Sequence, residues 1–469
     1  MVDSGVAHEI VAGRLYRPAL AAARRCRSSQ RTAYLEYRSG LHFRAASQDW
    51  GTERRLNWQL AELRRTVRYA YATTPFYRER LDAIGFDPRD EFGFDTYSSL
   101  PVLEREEVRA AGERMLSNAV PRALLREDAT GGSSGTPTKL WKGPSERGWG
   151  ESGSEHFMTR VGLPPGSRIA YLWGHHLDPT VRAGWRDRLT DHLQATRWYD
   201  CFRLDDDVLA AYHLDLKRWR PRGMIAYAGA LGALADAVLA TGDAPPNYPR
   251  TAFVTGAEKL YRHQRDAIES AFSRPVHEQY GSRDVGLMGF QLDPSRNLDF
   301  TVDWAKLIVE PDRTISAEDP TAGILVTKLR ADGMPMLRYR VGDVAHFPAD
   351  SRPGTPTYTL HEIVGRDMDR LWMPDGRWMH PAVLPHLMKG LPIRDFQLHQ
   401  HADYRVTVRI VADAGFGEDA RAAILGIIRA NLPRLDVSVE EVAEIPRSAA
   451  SKWRPVTSDV AARDRRISW

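Results

Sequence analysis

The stretch that decides the fold lies at residues 130–139 and reads Thr130-Gly131-Gly132-Ser133-Ser134-Gly135-Thr136-Pro137-Thr138-Lys139. Its glycines permit positive φ angles and let backbone N–H groups come close to an anion. The hydroxyl side chains and the Lys139 ammonium add hydrogen-bond donors and a positive charge. The spacing is not that of a Walker A loop. The stretch therefore indicates an anion-binding loop, with an ordinary surface turn or linker as the alternative.

The composition predicts a globular protein of a reducing compartment. The chain has 469 residues, of which 42% are hydrophobic and 27% are charged. Cys26 and Cys201 are too few for a disulfide framework or a zinc cluster, so we expect a cytoplasmic location. The formal net charge of +4 is too small to argue for a nucleic-acid partner. No long apolar run and no signal-peptide pattern occur, so we expect no membrane partner.

The region before residue 365 alternates strand and helix patterns. Short apolar runs at residues 168–173, 224–227 and 252–255 predict strands, and helical periodicity at residues 230–239 and 261–272 predicts the helices between them. Such alternation predicts a mostly parallel sheet covered by helices. Further helices are predicted at residues 56–71, 103–115 and 145–160. Strands at residues 306–309, 323–329 and 337–339 predict a β-rich subdomain.

A smaller domain is predicted to begin near Gly365. Val406, Val408 and Ile410 alternate as one face of a strand, and a helix follows at residues 420–430. Another strand contains Val437 and Val439. The predicted fold class is therefore α/β, with a large N-terminal domain at residues 1–364 and a small α+β domain at residues 365–469.

Five stretches in a fixed order carry a resemblance to a known family. They are residues 130–139, Thr255-Gly256-Ala257-Glu258, Tyr280-Gly281-Ser282-Arg283-Asp284, Arg338-Tyr339-Arg340-Val341-Gly342-Asp343 with Gly365-Arg366, and Ser451-Lys452-Trp453-Arg454. Together they resemble the adenylate-forming (ANL) superfamily, in its phenylacetate–CoA ligase and capsule-biosynthesis ligase-like branch. The resemblance covers about residues 55–457.

The resemblance implies an ATP-dependent, AMP-forming ligase. Such an enzyme converts a carboxylic acid, here expected to be aromatic, into an acyl-adenylate and passes the acyl group to a thiol. ATP and Mg²⁺ are implied, with CoA or the phosphopantetheine of a carrier protein as acceptor. The C-terminal domain is implied to be a mobile lid. An amine acceptor, activation of nitrite, transfer of AMP to a macromolecule and a non-catalytic nucleotide-binding homologue stay open as alternatives.

The resemblance also assigns roles to individual residues. The phosphates of ATP would lie against Thr130, Gly131, Gly132, Ser133, Ser134 and Gly135. Adenine would lie against Gly256, Ala257, Glu258 and Tyr280, and ribose against Asp343 and Arg366. The acid would lie near Tyr171, Trp173, His175, Tyr227 and Gly281. The catalytic residues would be Lys452 and Asp284, with Asp284 also holding Mg²⁺ and Glu278 as the next candidate ligand.

Each of these residues also has a purely structural interpretation. Tyr280 and the aromatic residues could be core, Asp343 could lie in a β-turn, and Lys452 could be a solvated loop lysine. The lysine is nevertheless unusual, because only eight of the 65 lysines and arginines are lysine.

The sequence departs from the family pattern at several positions. Arg283-Asp284 stands where relatives carry Thr-Glu, Met368 where they carry the hinge carboxylate, and Ser451 where a glycine precedes the lysine. Some relatives bind zinc through cysteine and histidine after the stretch that corresponds to residues 280–284. No cysteine follows Cys201, so no such zinc is expected here.

Overall fold

The computed structural model describes residues 28–129, 138–173, 195–201, 204, 206–316, 319–366, 371–372, 378–379, 388, 391–431, 435–445 and 456–460. These residues divide into two compact units. The first contains the described residues up to Val341 and the segment His346–Glu362. The second contains Gly342–Ala345 and the described residues from Ile363 onward.

The helices of the described residues are α1 (Ser28–Ser47), α2 (Thr52–Thr73), α3 (Pro75–Asp82), α4 (Phe94–Ser98), α5 (Arg105–Ala111), α6 (Pro144–Arg160), α7 (Asp206–Trp219), α8 (Ala228–Ala240), α9 (Arg262–Phe272) and α10 (Glu418–Asn431). Short 3₁₀ turns lie at Gly112–Met115 and Arg122–Leu124. The predicted helix at residues 103–115 is therefore shorter, because its last turn tightens into a 3₁₀ turn. Within the described part of the chain, no helix has the length and apolar character needed to cross a bilayer.

The strands are β1 (Arg126–Ala129), β2 (Lys139–Lys142), β3 (Ile169–Leu172), β4 (Thr196–Tyr199), β5 (Gly223–Tyr227), β6 (Ala252–Gly256), β7 (Val276–Ser282), β8 (Gly286–Gln291), β9 (Phe300–Val302), β10 (Leu307–Pro311), β11 (Thr321–Lys328), β12 (Tyr339–His346), β13 (Thr359–Leu360), β14 (Glu362–Arg366), β15 (Leu371–Trp372), β16 (Trp378–Met379), β17 (Ile393–Gln400), β18 (Val406–Ala412), β19 (Val437–Glu441) and β20 (Val456–Ser458). β1 pairs with β2, and β15 pairs with β16, each as an antiparallel ladder.

The largest sheet has the strand order β13-β9-β8-β7-β6-β5-β3-β4. Strands β4, β3, β5, β6 and β7 are mutually parallel, whereas β8, β9 and β13 continue the sheet in antiparallel pairs. Helices α8 and α9 pack together over a core that includes Met224, Leu231, Phe253 and Phe272. The predicted α/β class is confirmed, because buried apolar strands alternate with amphipathic helices.

A second sheet, β10-β11-β12-β14, forms the β-rich region. The predicted strand at residues 337–339 is wrong at both ends, since β12 begins at Tyr339 and continues to His346. Arg338 precedes the strand with a φ of 50°, and its guanidinium Nε donates to Glu310 Oε1 at 3.1 Å. This buried ion pair decides the local backbone, while alternating burial from Tyr339 onward extends the strand. Asp343 therefore lies in a strand.

The second unit contains the sheet β19-β18-β17-β20, with α10 packed on it. Leu398, Val408 and Val456 are fully buried, as are Ile424 and Ile428 of α10. The alternation predicted from Val406, Val408 and Ile410 is confirmed, and the helix begins before and ends after the predicted residues. Along the chain, this sheet and α10 have the order β-β-α-β-β.

Helix α1, for which the sequence predicted nothing, lies against α6. Gly148 makes this close approach possible, because a Cβ there would meet the carbonyl oxygen of Ala33 and lie 2.6 Å from the Tyr37 nitrogen. Beside the crossing, Arg44 Nη2 donates to Asp303 at 2.8 Å and Arg44 Nη1 donates to Ser152 Oγ at 2.7 Å. The helix is thus held by close backbone packing and a buried ion pair.

The replacement Gly148→Ala is expected to lower the free energy of unfolding by about 1–3 kcal/mol, because two backbones must separate. A Cβ added at Gly150, in the same helix, would have no atom within 4 Å. Gly150→Ala should therefore leave stability unchanged or raise it by about 0.5–1 kcal/mol through helix propensity. Urea unfolding curves measure both, and equal midpoints for the two variants would contradict the assigned helix contact.

Candidate active site

The predicted site residues of the first unit gather at one edge of the large sheet. Tyr171 lies in β3 and Trp173 follows it, Tyr227 ends β5, and Gly256 ends β6. Tyr280 lies near the end of β7. Because these strands are parallel, their carboxyl ends meet at the same edge, which is where α/β sheets bind ligands.

Two stacked aromatic pairs line this edge. The rings of Trp173 and Tyr227 lie 4.2 Å apart between centroids, and those of Tyr171 and Trp198 lie 4.1 Å apart. Burial raises the pKa of the Tyr227 hydroxyl to about 12, with further contributions from Cys201 and Glu258. Tyr227 therefore stays neutral and acts as an aromatic surface with a hydroxyl donor.

The segment predicted to hold adenine has an unusual backbone. Ala257 adopts a φ of 66°, in the left-handed region that residues with a Cβ rarely occupy. A Cβ at Gly256 would lie 2.8 Å from Gln279 Cγ, so the packing there requires glycine. Glu258 Oε2 accepts a hydrogen bond from the Gly229 N–H at 3.2 Å, which ties this turn to the start of α8. Strained turns of this kind concentrate at functional sites.

Tyr280 and Gly281 occupy an irregular point of the β7–β8 ladder. The register shifts between these two residues, as in a β-bulge. Tyr280 is only 8% exposed, and its ring meets Phe300 edge-on at 6.3 Å. A Cβ at Gly281 would lie 2.6 Å from the Gly286 carbonyl oxygen. The bulge therefore explains the glycine and leaves Gly281 exposed at the strand end.

Asp284 lies in a buried network of charged and polar groups. It is 3% exposed, and its Oδ2 accepts hydrogen bonds from Arg105 Nη2 at 3.0 Å and from the Tyr339 hydroxyl. Desolvation and the adjacent Asp284 carboxylate raise the pKa of Tyr339, so its hydroxyl stays protonated as a donor. This network fixes the turn that follows β7.

Lys328 extends the network on the backbone side of Asp284. Its Nζ donates to the Asp284 carbonyl oxygen at 3.2 Å and forms an ion pair with Glu146 Oε1 at 2.6 Å. Lys328 and Glu146 are both buried. The turn after β7 is therefore held from α5, α6, β11 and β12.

Glu278, on β7, is another acidic residue near the sheet edge. Its Oε1 accepts a hydrogen bond from the Leu260 N–H at 3.2 Å. Burial raises its pKa to about 7. A carboxyl group with such a pKa exchanges protons near neutrality, which is the range useful for acid–base chemistry.

Several predicted site residues lie outside the described residues or belong to the second unit. Thr130, Gly131, Gly132, Ser133, Ser134, Gly135, His175 and Lys452 lie outside the described residues, as does Met368. Asp343 is a partly buried residue of β12, and Arg366 ends β14. The roles assigned to all of these residues stay predictions.

The structure adds residues that sequence reasoning missed. Trp198 and Cys201 belong to β4 and the residues just after it, which no sequence pattern had marked as a strand. Arg105 lies 179 positions from Asp284, so its role becomes visible only in the folded chain. A Trp-Tyr pair in a short apolar run, Trp198-Tyr199, was the available signal for β4.

Comparison with known proteins connects this site to a family. No protein-family model matches the chain. A phenylacetate-coenzyme A ligase of Thermus thermophilus is 23% identical over 341 residues, covering 71% of this chain and 75% of the relative. A phenylacetate-coenzyme A ligase of Pseudomonas putida is 23% identical over 334 residues, covering 67% and 71%. The chain resembles the phenylacetate–CoA ligases of the adenylate-forming superfamily.

A solved structure shows that the adenylate-forming fold extends over most of the chain. The crystal structure of 2-hydroxyisobutyryl-CoA ligase in the postadenylation state, in complex with 2-HIB-AMP, has a TM-score of 0.66 and 17% identity. The match covers 87% of this chain and 90% of that one. The resemblance expected from the five ordered motifs is therefore confirmed.

The raised pKa of Glu278 gives a prediction for this phenylacetate–CoA ligase-like chain. The folded carboxyl group holds its proton up to about pH 7, whereas the unfolded one releases it near 4.5. The group therefore costs stability as the pH rises through this interval. Glu278→Gln removes this pH-dependent loss. The free energy of unfolding of the variant should therefore exceed that of the wild type by more at pH 8 than at pH 4.

Chemical denaturation at the two pH values measures this difference. Glu113→Gln, at an exposed glutamate, is the matched control. If the difference in unfolding free energy between Glu278→Gln and the wild type does not change with pH, the interpretation of Glu278 as a buried carboxyl group is wrong.

Proposed function

We propose that the protein is an ATP-dependent, AMP-forming ligase that activates a carboxylic acid and transfers its acyl group to a thiol. The observation that carries the proposal is the sequence similarity to two phenylacetate-coenzyme A ligases over two thirds or more of each chain. In the first half-reaction, a carboxylate oxygen attacks the α-phosphorus of ATP and pyrophosphate leaves. In the second, a thiol attacks the acyl-adenylate and AMP leaves.

The acid is proposed to be flat and aromatic. The stacked pairs Trp173–Tyr227 and Tyr171–Trp198 supply aromatic faces at the carboxyl ends of β3, β4 and β5. Offset stacking favours an aromatic ligand over an aliphatic one of similar volume. His175 and Gly281 are proposed to complete the pocket on the basis of the family resemblance.

The adenine of ATP is proposed to lie along the turn Gly256-Ala257-Glu258. The left-handed backbone at Ala257 supports a close approach of this turn to a planar ring. Tyr280 is proposed to stack against the adenine ring. The phosphate loop at residues 130–135, the ribose contacts of Asp343 and Arg366, and the catalytic role of Lys452 rest on their motifs alone.

The contacts of Asp284 favour a positioning role over a direct Mg²⁺ contact. The Arg105 guanidinium lies 3.0 Å from Oδ2, and the Tyr339 hydroxyl donates to the same atom. The arrangement supports a positioning role, in which Asp284 fixes the turn that carries the exposed Arg283. Glu278, with its raised pKa, is a further carboxyl group at this edge.

The acceptor is proposed to be the thiol of CoA or of a carrier-protein phosphopantetheine. Both curated relatives are coenzyme A ligases by name, which favours CoA. An amine acceptor and activation of nitrite are variants of the same adenylating chemistry. A lid movement of the C-terminal region would give room for the acceptor after adenylation.

A second candidate is a nucleotide-binding homologue without turnover. The specific observation that favours it is the Arg105–Asp284 ion pair, which occupies the carboxylate expected to hold the metal. This candidate predicts binding of ATP without pyrophosphate release.

The full-length protein incubated with ATP, Mg²⁺ and a panel of aryl and aliphatic acids should release pyrophosphate with at least one aryl acid. Adding CoA should then release AMP and form a thioester detectable by mass spectrometry. Release of pyrophosphate, with an acyl-adenylate that hydroxylamine traps but no dependence of AMP release on CoA, would indicate another acceptor. Bound ATP with no pyrophosphate from any acid would favour the non-catalytic homologue.

Lys452→Ala should lower acid-dependent ATP–pyrophosphate exchange by about 10²-fold or more, as expected for loss of a preorganised charge at the reacting oxygens. ATP binding should weaken far less. Lys217→Ala, at an exposed lysine of α7, is the control and should retain wild-type exchange. If Lys452→Ala retains exchange within a few-fold of the wild type, the catalytic role proposed for Lys452 is wrong.

A further inference from the structure

Two histidines and an aspartate that belong to none of the predicted sites lie together in the second unit. Among the described residues of the chain, His399, His401 and Asp459 form a group whose ligand atoms all lie within 4.8 Å of one another. The Nε2 of His399 lies 3.1 Å from Asp459 Oδ2. The two imidazole rings meet edge-on with centroids 4.6 Å apart.

The sheet places these side chains on one face. His399 is the penultimate residue of β17, and His401 follows two positions later, so both project to the same side. The opposite face carries Leu398 and Val408, which pack with α10 in the core. β20 pairs with β17 in parallel, with Thr457 opposite His399. Asp459 lies two residues after Thr457, and its N–H donates to the Gln400 carbonyl oxygen at 2.8 Å.

Two threonines orient the imidazoles. His399 Nδ1 lies 2.9 Å from Thr457 Oγ1, and His401 Nε2 lies 2.9 Å from Thr407 Oγ1. When each of these ring nitrogens donates its proton to the threonine, the other nitrogen keeps its lone pair. Metal-binding histidines are held in this way, by a hydrogen bond from the nitrogen that does not bind the metal.

We propose that His399, His401 and Asp459 bind a divalent transition metal ion of the Zn²⁺ class. Imidazole nitrogen and carboxylate oxygen are the donors that suit this class of ion. In a tetrahedral site with bonds of about 2.1 Å, neighbouring ligand atoms lie about 3.4 Å apart. The His399–Asp459 separation of 3.1 Å is close to this value, and side-chain rotation would bring together the ligand atoms that lie up to 4.8 Å apart. Water supplies the fourth ligand.

This site differs from the zinc site that some relatives carry and that is not expected here. That site would follow the stretch at residues 280–284 and would use cysteine. The group of His399, His401 and Asp459 lies on the sheet of the second unit and needs no cysteine. It joins the end of β17 to the residue after β20, so the bound ion would stabilise the last strand of the sheet, whatever the catalytic activity of the protein.

The test is metal binding by full-length protein stripped with a chelator. Calorimetric titration with ZnCl₂ should give one site with micromolar or tighter affinity that depends on these residues, and CoCl₂ should give the visible absorption of a tetrahedral site. His399→Ala and His401→Ala should each weaken Zn²⁺ binding by more than about 10²-fold. Thr457→Val, which removes only the orienting hydroxyl, should weaken it by about 10–100-fold.

The control is His361→Ala. His361 Nδ1 also lies 3.0 Å from a carboxylate, Asp299 Oδ1, but belongs to no group of three ligands among the described residues. Its replacement should leave the zinc affinity unchanged. Circular dichroism of the metal-free variants establishes that they are folded. Failure of the wild-type protein to bind Zn²⁺, or equal binding by folded His399→Ala and His361→Ala, would overturn the proposal.

Discussion

The buried carboxylate of Asp284 constrains the whole edge of the sheet where the candidate site lies. A charge removed from water destabilises the fold unless partners replace its hydration. Asp284 finds those partners in Arg105 and Tyr339, while its backbone carbonyl accepts from Lys328. These residues come from α5, β12 and β11, so the turn after β7 keeps its position only when three distant segments have assembled. The positions of Tyr280, Gly281 and Arg283 follow from that turn.

Much of this architecture could be predicted because its causes are local. Apolar runs that precede glycines marked β5 and β6, and helical periodicity marked α2, α8, α9 and α10. The edge of the sheet followed, since the carboxyl ends of parallel strands must lie together. The family resemblance then predicted which residues of the first unit contact adenine and the acid, and the structure brings Tyr171, Trp173, Tyr227 and Gly256 to that edge.

The remainder depended on contacts between distant parts of the chain. The helix α1 shows weak amphipathic patterning, and it lies where it does because Gly148 lets two backbones approach. Strand β12 begins two residues later than predicted because Arg338 turns to pair with Glu310. The motif predicts Asp284 as a metal ligand, but it gives no sign that an arginine 179 positions away lies beside the carboxylate. Tertiary electrostatics decides such positions, and sequence periodicity carries no information about it.

The strand β20 has only three residues, but it covers one edge of the sheet in the second unit. Its parallel pairing with β17 satisfies backbone groups that would otherwise face solvent. An uncovered strand edge is a template for pairing with other chains. Proteolysis or a truncation that removed the chain from Val456 onward would therefore turn β17 into an open edge. Such shortened forms of the protein would be prone to self-association.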